Sequence, residues 1–346
     1  MSALTIEFSH GGLRLPRPGL WLDPHRAQRG PERVFVSHAH ADHTAPHREV
    51  ILTEATARLM RARIGGRRTE HILTFGEPRE FAGPEGAFRL TLLPAGHILG
   101  SAMILLEADG ESLLYTGDFK LQPGFAAERC APQHADWLVM ETTFGRPEYV
   151  FPPADTAMGA VVEFCRATLA AGATPVLLAY SLGKSQELLA GLAGADLPLA
   201  LDESVWKMTK VYEECGWRFP AHERLGPAGA RGKVLLCPPQ LARAAALAAG
   251  EPTRTAIVSG WAVDPGCRFR YGADAAFPLS DHADFPDLIE FVRRVAPKRV
   301  FTLHGFAADF ATELRDRGHD ARALSEAEQL TLALGLTRPA PVLRPG

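Results

Sequence analysis

Short apolar runs separated by turn residues dominate the first third of the chain. Their β-branched and aliphatic residues stand directly before loops, a pattern that predicts strands. Asp109-Gly110 lies between two of these runs and is a strong signal for a tight hairpin turn. The predicted strands are Val34 to Val36, Leu90 to Leu93, Ala102 to Glu107, Leu113 to Thr116 and Trp137 to Met140.

Helical spacing of apolar residues becomes frequent in the rest of the chain. From about Arg146 onward, strand and helix patterns alternate, which favours an inserted α/β unit with parallel strands. Helices are predicted at Glu54 to Arg63, Thr156 to Leu169, Ser185 to Leu192 and Ser204 to Glu214, and further strands at Ala173 to Tyr180, Pro198 to Leu201 and Thr255 to Ser259.

Capping residues predict two more helices near the C-terminus. Asp284 before Pro286 opens an amphipathic helix, because aspartate accepts hydrogen bonds from free amides and proline is tolerated in the first turn. A strand is predicted at Val300 to Leu303, and Ser325 with Glu328 forms a capping-box pattern for a last helix.

Composition limits the possible partners and compartments. The formal net charge of -3 is not that of a strongly basic protein, so a nucleic-acid contact would need a local basic patch. None of the five cysteines forms a C-x-x-C pair, and the first residues lack the pattern of a secretion signal. Pro175 interrupts the longest uncharged stretch, so we expect a cytoplasmic protein that does not enter a membrane.

The densest group of potential metal ligands follows the first predicted strand of the chain. Ser37-His-Ala-His-Ala-Asp-His places His38, His40, Asp42 and His43 in one loop. Histidine and aspartate are ligands for zinc, and their spacing lets one loop serve two ions. Further candidates lie at strand ends, where a rigid scaffold presents side chains at one edge: His97, Asp118, Glu141 and His304.

These residues resemble the pattern of the metallo-β-lactamase superfamily. That pattern is an early aspartate, here Asp23, then H-x-H-x-D-H at 38–43, then His97 and Asp118. The resemblance implies an α/β fold, the αββα sandwich of this superfamily, with two Zn²⁺ ions. Position 40 is a histidine, whereas diiron members of the superfamily carry a glutamate there, so zinc is favoured over iron. Mn²⁺ is a possible substitute for zinc. Asp23 is expected to orient a histidine ligand rather than to bind metal.

A second set of motifs is similar to the β-CASP nucleases of that superfamily. Glu141, His282 and His304 look like motifs A, B and C of that family, which bracket an inserted domain. The resemblance implies that 1–145 and 278–346 form the metallo-β-lactamase domain and that 146–277 form a small α/β β-CASP insert.

Three further segments resemble bacterial exonucleases described as DNA-ligase-associated. They are Tyr180-Ser-Leu-Gly-Lys, Val258-Ser-Gly-Trp and Phe277-Pro-Leu-Ser-Asp-His-Ala-Asp. The likeness implies 5′-to-3′ trimming of DNA with single-stranded or processed ends, in DNA repair, with a possible functional association with a DNA ligase. Histidine at position 304 is also typical of RNA-processing members, so an RNA-processing β-CASP ribonuclease is the alternative.

Candidate phosphate-binding residues lie in the first two of these segments and in the basic pair Arg268 and Arg270. At Ser181 to Lys184 a strand ends, a glycine turn follows and a helix begins, so free backbone amides and a lysine could bind phosphate. An ordinary strand-to-helix turn has the same pattern. Arg268 and Arg270 could follow a sugar-phosphate backbone, with Phe269 and Tyr271 stacking on bases, or form an exposed edge strand. The candidates are Ser181, Gly183, Lys184, Ser259, Gly260, Arg268 and Arg270. The basic run Arg61, Arg63, Arg67 and Arg68 is more typical of a solvated helix end.

The resemblance also implies a mechanism. His38, His40 and His97 would hold one zinc ion, Asp42, His43 and His304 the other, with Asp118 between them. A water between the ions would ionise near neutral pH and attack the phosphorus. His282, oriented by Glu141, would protonate the departing sugar oxygen. Asp42, Asp118, Glu141 and His282 are therefore the expected catalytic residues.

Two other classes of function are weaker predictions. A small-molecule metallohydrolase acting on a thioester or lactam would need neither the insert nor Glu141 and His282. A non-catalytic DNA-binding scaffold would usually lack some of the ligands, and none is missing here.

Overall fold

The computed structural model describes residues 5–9, 12–227, 229–242, 251–324 and 331–333. Three sheets organise these residues. Two of them have seven strands each and face one another, and the third has six strands.

The first seven-stranded sheet is built mainly from the N-terminal residues. Its strand order is β20-β1-β2-β3-β4-β5-β6. The strands are β1 Thr5–Ser9, β2 Gly12–Leu15, β3 Leu20–Leu22, β4 Arg33–Phe35, β5 Glu49–Leu52, β6 Thr69–Ile72 and β20 Thr331–Ala333.

The second seven-stranded sheet has the order β19-β18-β11-β10-β9-β8-β7. Asp109 and Gly110 join β9 to β10 with positive φ angles of 48° and 81°, so the predicted hairpin is confirmed. The strands are β7 Arg79–Gly83, β8 Gly86–Pro94, β9 Ala102–Ala108, β10 Glu111–Tyr115, β11 Trp137–Glu141, β18 Arg299–Leu303 and β19 Ala321–Ala323.

Buried apolar side chains fill the space between these two sheets and cover their outer faces. Phe35 of the first sheet lies in one core with Leu92 and Tyr115 of the second. Helix α1 (Glu54–Ile64) packs on the outer face of the first sheet. Two C-terminal helices, α6 (Phe285–Val295) and α7 (Ala307–Asp316), pack on the outer face of the second sheet. The expected αββα sandwich is confirmed.

The third sheet is entirely parallel and has the order β14-β13-β15-β12-β16-β17. Its strands are β12 Thr174–Leu178, β13 Leu199–Leu201, β14 His222–Arg224, β15 Val234–Cys237, β16 Thr253–Val258 and β17 Ala275–Phe277. Its α-helices are α2 Ala154–Ala170, α3 Lys184–Gly191, α4 Glu203–Glu214 and α5 Cys267–Arg270, and its 3-10 helices are Pro239–Leu241 and Gly260–Val263. The inserted parallel α/β unit is therefore confirmed, while the division at residues 146 and 277 stays a prediction.

Local hydrogen bonds explain several helix starts. The Asp284 side chain accepts a hydrogen bond from Asp287 N at 3.0 Å, so the predicted cap of α6 is confirmed. Thr53 caps α1 and Asp202 caps α4 in the same way. The predicted start of a last helix at Ser325 lies outside the described residues. In the part of the chain that the structure describes, no helix combines the length and the apolar character needed to span a membrane.

Candidate metal centre

The ends of neighbouring strands bring the predicted ligands to one edge of the sandwich. The segment 37–43 follows β4, Asp118 follows β10, Glu141 ends β11 and His304 follows β18. Because β10, β11 and β18 are parallel neighbours, the residues after them emerge at the same edge. Gly117 is required in the turn before Asp118: its φ is +55°, and a Cβ there would lie 2.5 Å from Cβ of Ser37.

Three histidine rings meet at the centre of this edge. Nε2 of His38 lies 3.0 Å from Nδ1 of His40, and Nε2 of His97 lies 3.0 Å from the same atom. With a carboxylate oxygen of Asp118, these nitrogens form a group whose ligand atoms all lie within 4.8 Å of one another. His38 and His97 are buried, and His40 is half-buried.

Each of the three rings uses its other nitrogen to donate a hydrogen bond away from the centre. Nδ1 of His97 lies 2.7 Å from the carbonyl oxygen of Asp281, and Nε2 of His40 lies 3.1 Å from that of Leu182. Nδ1 of His38 lies 2.9 Å from Oγ of Ser37, whose own proton is donated to Asp23. A neutral imidazole carries one N–H, so all three inward nitrogens carry lone pairs.

This arrangement fits a cation. Burial lowers the pKa values of His38, His40 and His97, that of His97 to about 4, so the rings are neutral at pH 7. Three lone pairs then face one another with no proton between them, beside the Asp118 carboxylate. Three imidazoles and a carboxylate are a donor set that suits Zn²⁺.

Asp23 is buried and holds the loop that carries the histidines. Its carboxylate accepts hydrogen bonds from the backbone and side chain of Ser37, from Tyr115 Oη at 2.9 Å and from Nδ1 of His43 at 3.0 Å. The residue thus contacts His43 in the way expected of a group that orients a ligand.

His43 and Asp118 form the second half of the centre. Nε2 of His43 lies 3.4 Å from a carboxylate oxygen of Asp118. Burial opposes a positive charge on His43, but Asp118 raises the pKa of His43 well above its ordinary value. The field at this nitrogen therefore favours positive charge, and it would favour a bound cation in the same way.

The other predicted ligands of the second ion are less closely gathered. The Asp42 side chain is 72% exposed and its carboxylate lies 4.0 Å from Nε2 of His43. The His304 ring, in an exposed residue with φ of 59°, has its centroid 5.7 Å from that of His43. Among the described residues, the groups with ligand atoms within 4.8 Å of one another do not include Asp42, His43 or His304. A second ion at these three residues stays a prediction.

The half-buried His282 and the buried Glu141 form a pair beside Asp118. Nδ1 of His282 donates a hydrogen bond of 2.8 Å to Glu141, whose carboxylate also accepts from the backbone amides of Phe119 and Thr143. Burial opposes the charge on His282, but Glu141 raises the pKa of His282 to about 9. The ring therefore holds a proton at neutral pH and can give it to a leaving group.

A cleft of about 580 Å³ opens over this edge. Residues that follow strands β12, β15 and β16 of the third sheet line one part of it, and the sandwich lines the rest. The lining residues are His40, Ala41, Asp42, His43, Arg63, Asp118, Thr143, Tyr180, Ser181, Leu182, Pro238, Gln240, Trp261, Asp281, His282 and His304.

The expected role of Lys184 as a cleft cation requires a correction. Lys184 is only 2% exposed, and its Nζ lies 2.9 Å from the carboxylate of Asp281 and donates to the carbonyl oxygen of Leu279 at 2.9 Å. Its charge therefore neutralises Asp281 instead of facing a ligand in the cleft. Burial opposes the charge of Asp281, but Lys184 lowers the pKa of Asp281.

Of the seven residues predicted to bind phosphate, only Ser181 is among the residues that line the cleft. Gly183 packs on Ile98, where a Cβ would lie 2.3 Å from Cγ2 of that residue, and Gly260 packs on Phe144 in the same way. Ser259 is buried and caps the 3-10 helix Gly260–Val263.

Arg268 and Arg270 are in a helix, so the proposed edge strand is wrong. The segment is α5, and the guanidinium of Arg270 donates a hydrogen bond of 2.5 Å to Asp264. Arg268 lies over the ring of Phe269 at 4.5 Å. The local hydrogen bonds of Asp264 to Gly266 N and Arg270 favour the turn over an extended chain.

Asp281 is an acidic residue of the centre that was not predicted from the sequence. Asp281 is buried, its carbonyl oxygen orients His97, and its carboxylate binds Lys184. Asp281 directly precedes His282 in the sequence, and this position could have indicated its role, because a loop that places one residue at the centre also places its neighbours nearby.

Comparison with known proteins identifies a family match in the C-terminal part. Residues 275–324 match the family RMMBL, described as the Zn-dependent metallo-hydrolase RNA specificity domain. The matched range includes His282 and His304.

Two relatives match larger parts of the chain. A protein of Opitutus terrae named "Probable DNA ligase" is 51% identical over 335 residues, which are 96% of this chain and 32% of that protein. An "RNase J-like protein" of Methanocaldococcus jannaschii is 26% identical over 270 residues, which are 66% of this chain and 63% of that protein. The chain thus spans about a third of the first relative and less than two thirds of the second.

A solved structure shares the fold. The crystal structure of a protein of unknown function from Enterococcus faecalis V583 matches with a TM-score of 0.63 at 13% identity, over 96% of this chain and 100% of that one.

Proposed function

Because the chain belongs to the β-CASP nucleases of the metallo-β-lactamase superfamily, we propose that it is a zinc-dependent exonuclease that trims DNA from a 5′ end. The observation that carries the proposal is the set of converging lone pairs of His38, His40 and His97 next to the proton-bearing His282. A phosphodiesterase needs both a cation site and a proton donor for the leaving oxygen.

Several residues would hold the cations. His38, His40, His97 and Asp118 would hold the first, and His43, Asp118, Asp42 and His304 the second. When bound, such cations lower the pKa of a water molecule and neutralise charge on phosphoryl oxygens. The family description that matches residues 275–324 includes zinc dependence, which supports zinc as the ion.

The protein's own side chains would carry out the remaining steps. Glu141 fixes the His282 ring through Nδ1, so the proton that reaches the departing sugar oxygen would come from Nε2. The insert, proposed as residues 146–277, covers the cleft with Tyr180 and Ser181 and would position the strand over the metal centre.

DNA is the proposed substrate because the relative of Opitutus terrae carries the name of a DNA ligase and is 51% identical to this chain. The same relation supports the further proposal of a role in DNA repair, in functional association with a ligase, and we propose that the protein acts in the cytoplasm. RNA is the second candidate, since the matched family is described as an RNA specificity domain and one relative is named RNase J-like.

The proposal is tested with purified protein, Zn²⁺ or Mn²⁺, and a panel of end-labelled single-stranded DNA, double-stranded DNA and RNA. We expect DNA shortening from the 5′ end, reduced by at least ~100-fold in Asp118→Asn and His282→Ala, the range of a lost proton donor or metal ligand. His134→Ala is the control, because that ring donates to the carbonyl oxygen of Val295 away from the cleft.

Three results would contradict the proposal. Cleavage of RNA alone would favour the RNA-processing candidate, and turnover of a thioester or lactam would favour a small-molecule hydrolase. Absence of bound metal by elemental analysis of the active protein would overturn the metal-dependent mechanism.

A further inference from the structure

We propose that Arg63 binds a backbone phosphate of a single nucleic-acid strand in the cleft, directly beside the metal centre. The inference rests on the proposed nuclease function and names a contact to its substrate. Arg63 lies in the sandwich and Lys184 in the insert. The positive charge that was expected from Lys184 would therefore come from Arg63.

The position of Arg63 is fixed by the loop that carries the histidines. Arg63 is in the last turn of α1, and its guanidinium donates a hydrogen bond to the carbonyl oxygen of Ala39. Ala39 stands between His38 and His40, so the arginine is anchored to the backbone of the metal-binding loop. Its side chain lines the cleft together with His40 and Asp42.

The charge of Arg63 is free for a ligand. Within the described chain, no other lysine or arginine lines the cleft, and no carboxylate lies within ion-pair distance of Arg63. Other cations considered for this role are already paired: Lys184 binds Asp281, and Arg270 binds Asp264. Arg61, two residues earlier in the same helix, binds Glu70.

The geometry of a guanidinium suits a phosphate. Arginine has five N–H donors in a fixed plane, and within the described residues the side chain of Arg63 donates only to the Ala39 carbonyl oxygen. Phosphate oxygens are the acceptors that such a fork binds most strongly. Partial burial lowers the pKa of Arg63, and the exposed carboxylate of Asp42 in the same cleft acts in the opposite direction without forming an ion pair with it.

A neighbouring aromatic residue indicates a nucleotide chain rather than free phosphate. Tyr180, two residues after the buried strand β12, lines the same cleft and is 53% exposed. Exposed aromatic rings beside a basic group are typical of sites where unpaired bases stack. A cleft with one arginine, an exposed tyrosine and a metal centre is therefore suited to a single strand whose phosphates follow one another.

The test compares Arg63→Met with Arg61→Met, which removes the same charge from the same helix outside the cleft. Both are made in the Asp118→Asn background to prevent cleavage, and binding of labelled oligothymidylate is measured over a range of salt concentrations. We expect Arg63→Met to weaken binding roughly tenfold, as for one lost charged hydrogen bond. The slope of log K against log salt should fall by about 0.7, the value for one phosphate contact on a single strand.

The outcomes separate the inference from the proposed function. Arg61→Met should keep the slope of the background protein, and equal slopes for the two variants would overturn the role of Arg63. Competition by inorganic phosphate as effective as that by the oligonucleotide would also overturn it, because it would indicate a free-phosphate site. Failure of the unsubstituted chain to bind or cleave any nucleic acid would overturn the proposed function, and the Arg63 contact with it.

Discussion

Five histidines of the metal centre, His38, His40, His43, His97 and His282, each use one ring nitrogen to contact the protein and present the other to the centre. The outer partners are of different kinds: a hydroxyl group for His38, backbone carbonyl groups for His40 and His97, and carboxylates for His43 and His282. A carbonyl or hydroxyl partner fixes a neutral ring, whereas a buried carboxylate also favours the protonated ring. The partners of His38, His40 and His97 thus leave neutral rings that can bind a cation, whereas Glu141 keeps a proton on His282.

The Glu141→Gln variant tests this separation at His282. Glutamine keeps an oxygen that can accept from Nδ1 but loses the charge that raises the pKa of His282 to about 9. A general acid must be protonated, so activity is lost as the pH rises through this pKa. We expect the alkaline limb of the kcat profile to move to lower pH in Glu141→Gln.

Glu128→Gln provides the matched control. Glu128 is a half-buried glutamate that accepts from Gly100 N at 2.9 Å, but it has no hydrogen bond to His282. Its profile should coincide with that of the unsubstituted protein. An unchanged alkaline limb in Glu141→Gln would show that His282 does not supply the proton.

At the scale of single residues, the sequence predicted which side chains meet but not how their neighbours hold them. His38, His40, His97 and Asp118 could be predicted because the dense H-x-H-x-D-H loop and the strand-end positions both point to one edge. The burial of Lys184 could not, since a lysine at a helix start is usually solvated and its partner Asp281 lies 97 positions away.

Among the elements, α3 carries two buried charges into contact with the sandwich. Lys184 binds Asp281, and Glu187 accepts from Lys120 at 2.9 Å and from the amides of Phe125 and Ala126. Only the first pair is connected to the metal centre, because the Asp281 carbonyl oxygen orients His97. The helix thus couples the insert to a proposed ligand at one end and stabilises the interface along the next turn.

Lys184→Met should therefore affect metal binding as well as stability. Removing one partner of a buried ion pair costs roughly 3 kcal/mol or more of the free energy of unfolding, because the other charge remains buried. Loss of a group that orients a metal ligand lowers metal affinity by about 10- to 100-fold. We expect both effects, measured by denaturant unfolding and by competition for Zn²⁺ with a chromophoric chelator.

Glu187→Gln is the control for Lys184→Met. It breaks the other buried pair of the same helix, so it should lower the free energy of unfolding without changing the affinity for Zn²⁺. Equal Zn²⁺ affinities in Lys184→Met and Glu187→Gln would contradict a positioning role for Lys184.

Secondary structure could be predicted well where hydrophobic periodicity and caps agree. Five strands of the second sheet, β8 to β11 and β18, and the helices α1 to α4 lie at the predicted places because their apolar residues face a core. The edge strands β7 and β19 of the same sheet were not predicted. The four residues of α5 could not be predicted, because two arginines at alternate positions resemble a strand and the deciding hydrogen bonds come from Asp264.

For the whole molecule, the metal centre joins segments that are far apart in sequence. Asp23, the loop 37–43, His97, Asp118, Glu141, Asp281 and His304 all contribute to one edge, and Leu182 of the insert contacts His40. A cation at this edge would hold together residues of both sheets of the sandwich. It would bind the folded chain and not the unfolded one, so it should stabilise the fold.

Removal of the metal should accordingly lower the melting temperature. A ligand present at 1,000 times its Kd adds about 4 kcal/mol to the free energy of unfolding, which for a chain of this size corresponds to several degrees. In the metal-free protein, the lone pairs of His38, His40 and His97 are left facing one another without a proton between them, which adds to the loss. We expect calorimetry to give a lower melting temperature after dialysis against a chelator, restored by one equivalent or more of Zn²⁺.

A His40→Ala variant makes this test specific, because Nδ1 of His40 is the nitrogen that the other two rings approach. Without it, the first cation would lose the ligand at the middle of the group, and a chelator should no longer change the melting temperature by the same amount. His134→Ala, far from the edge, should respond to the chelator as the unsubstituted protein does. Identical melting temperatures for the unsubstituted protein with and without Zn²⁺ would mean that the converging nitrogens hold no cation. The cluster would then have to be stabilised by protonation of one ring, which the burial of all three opposes.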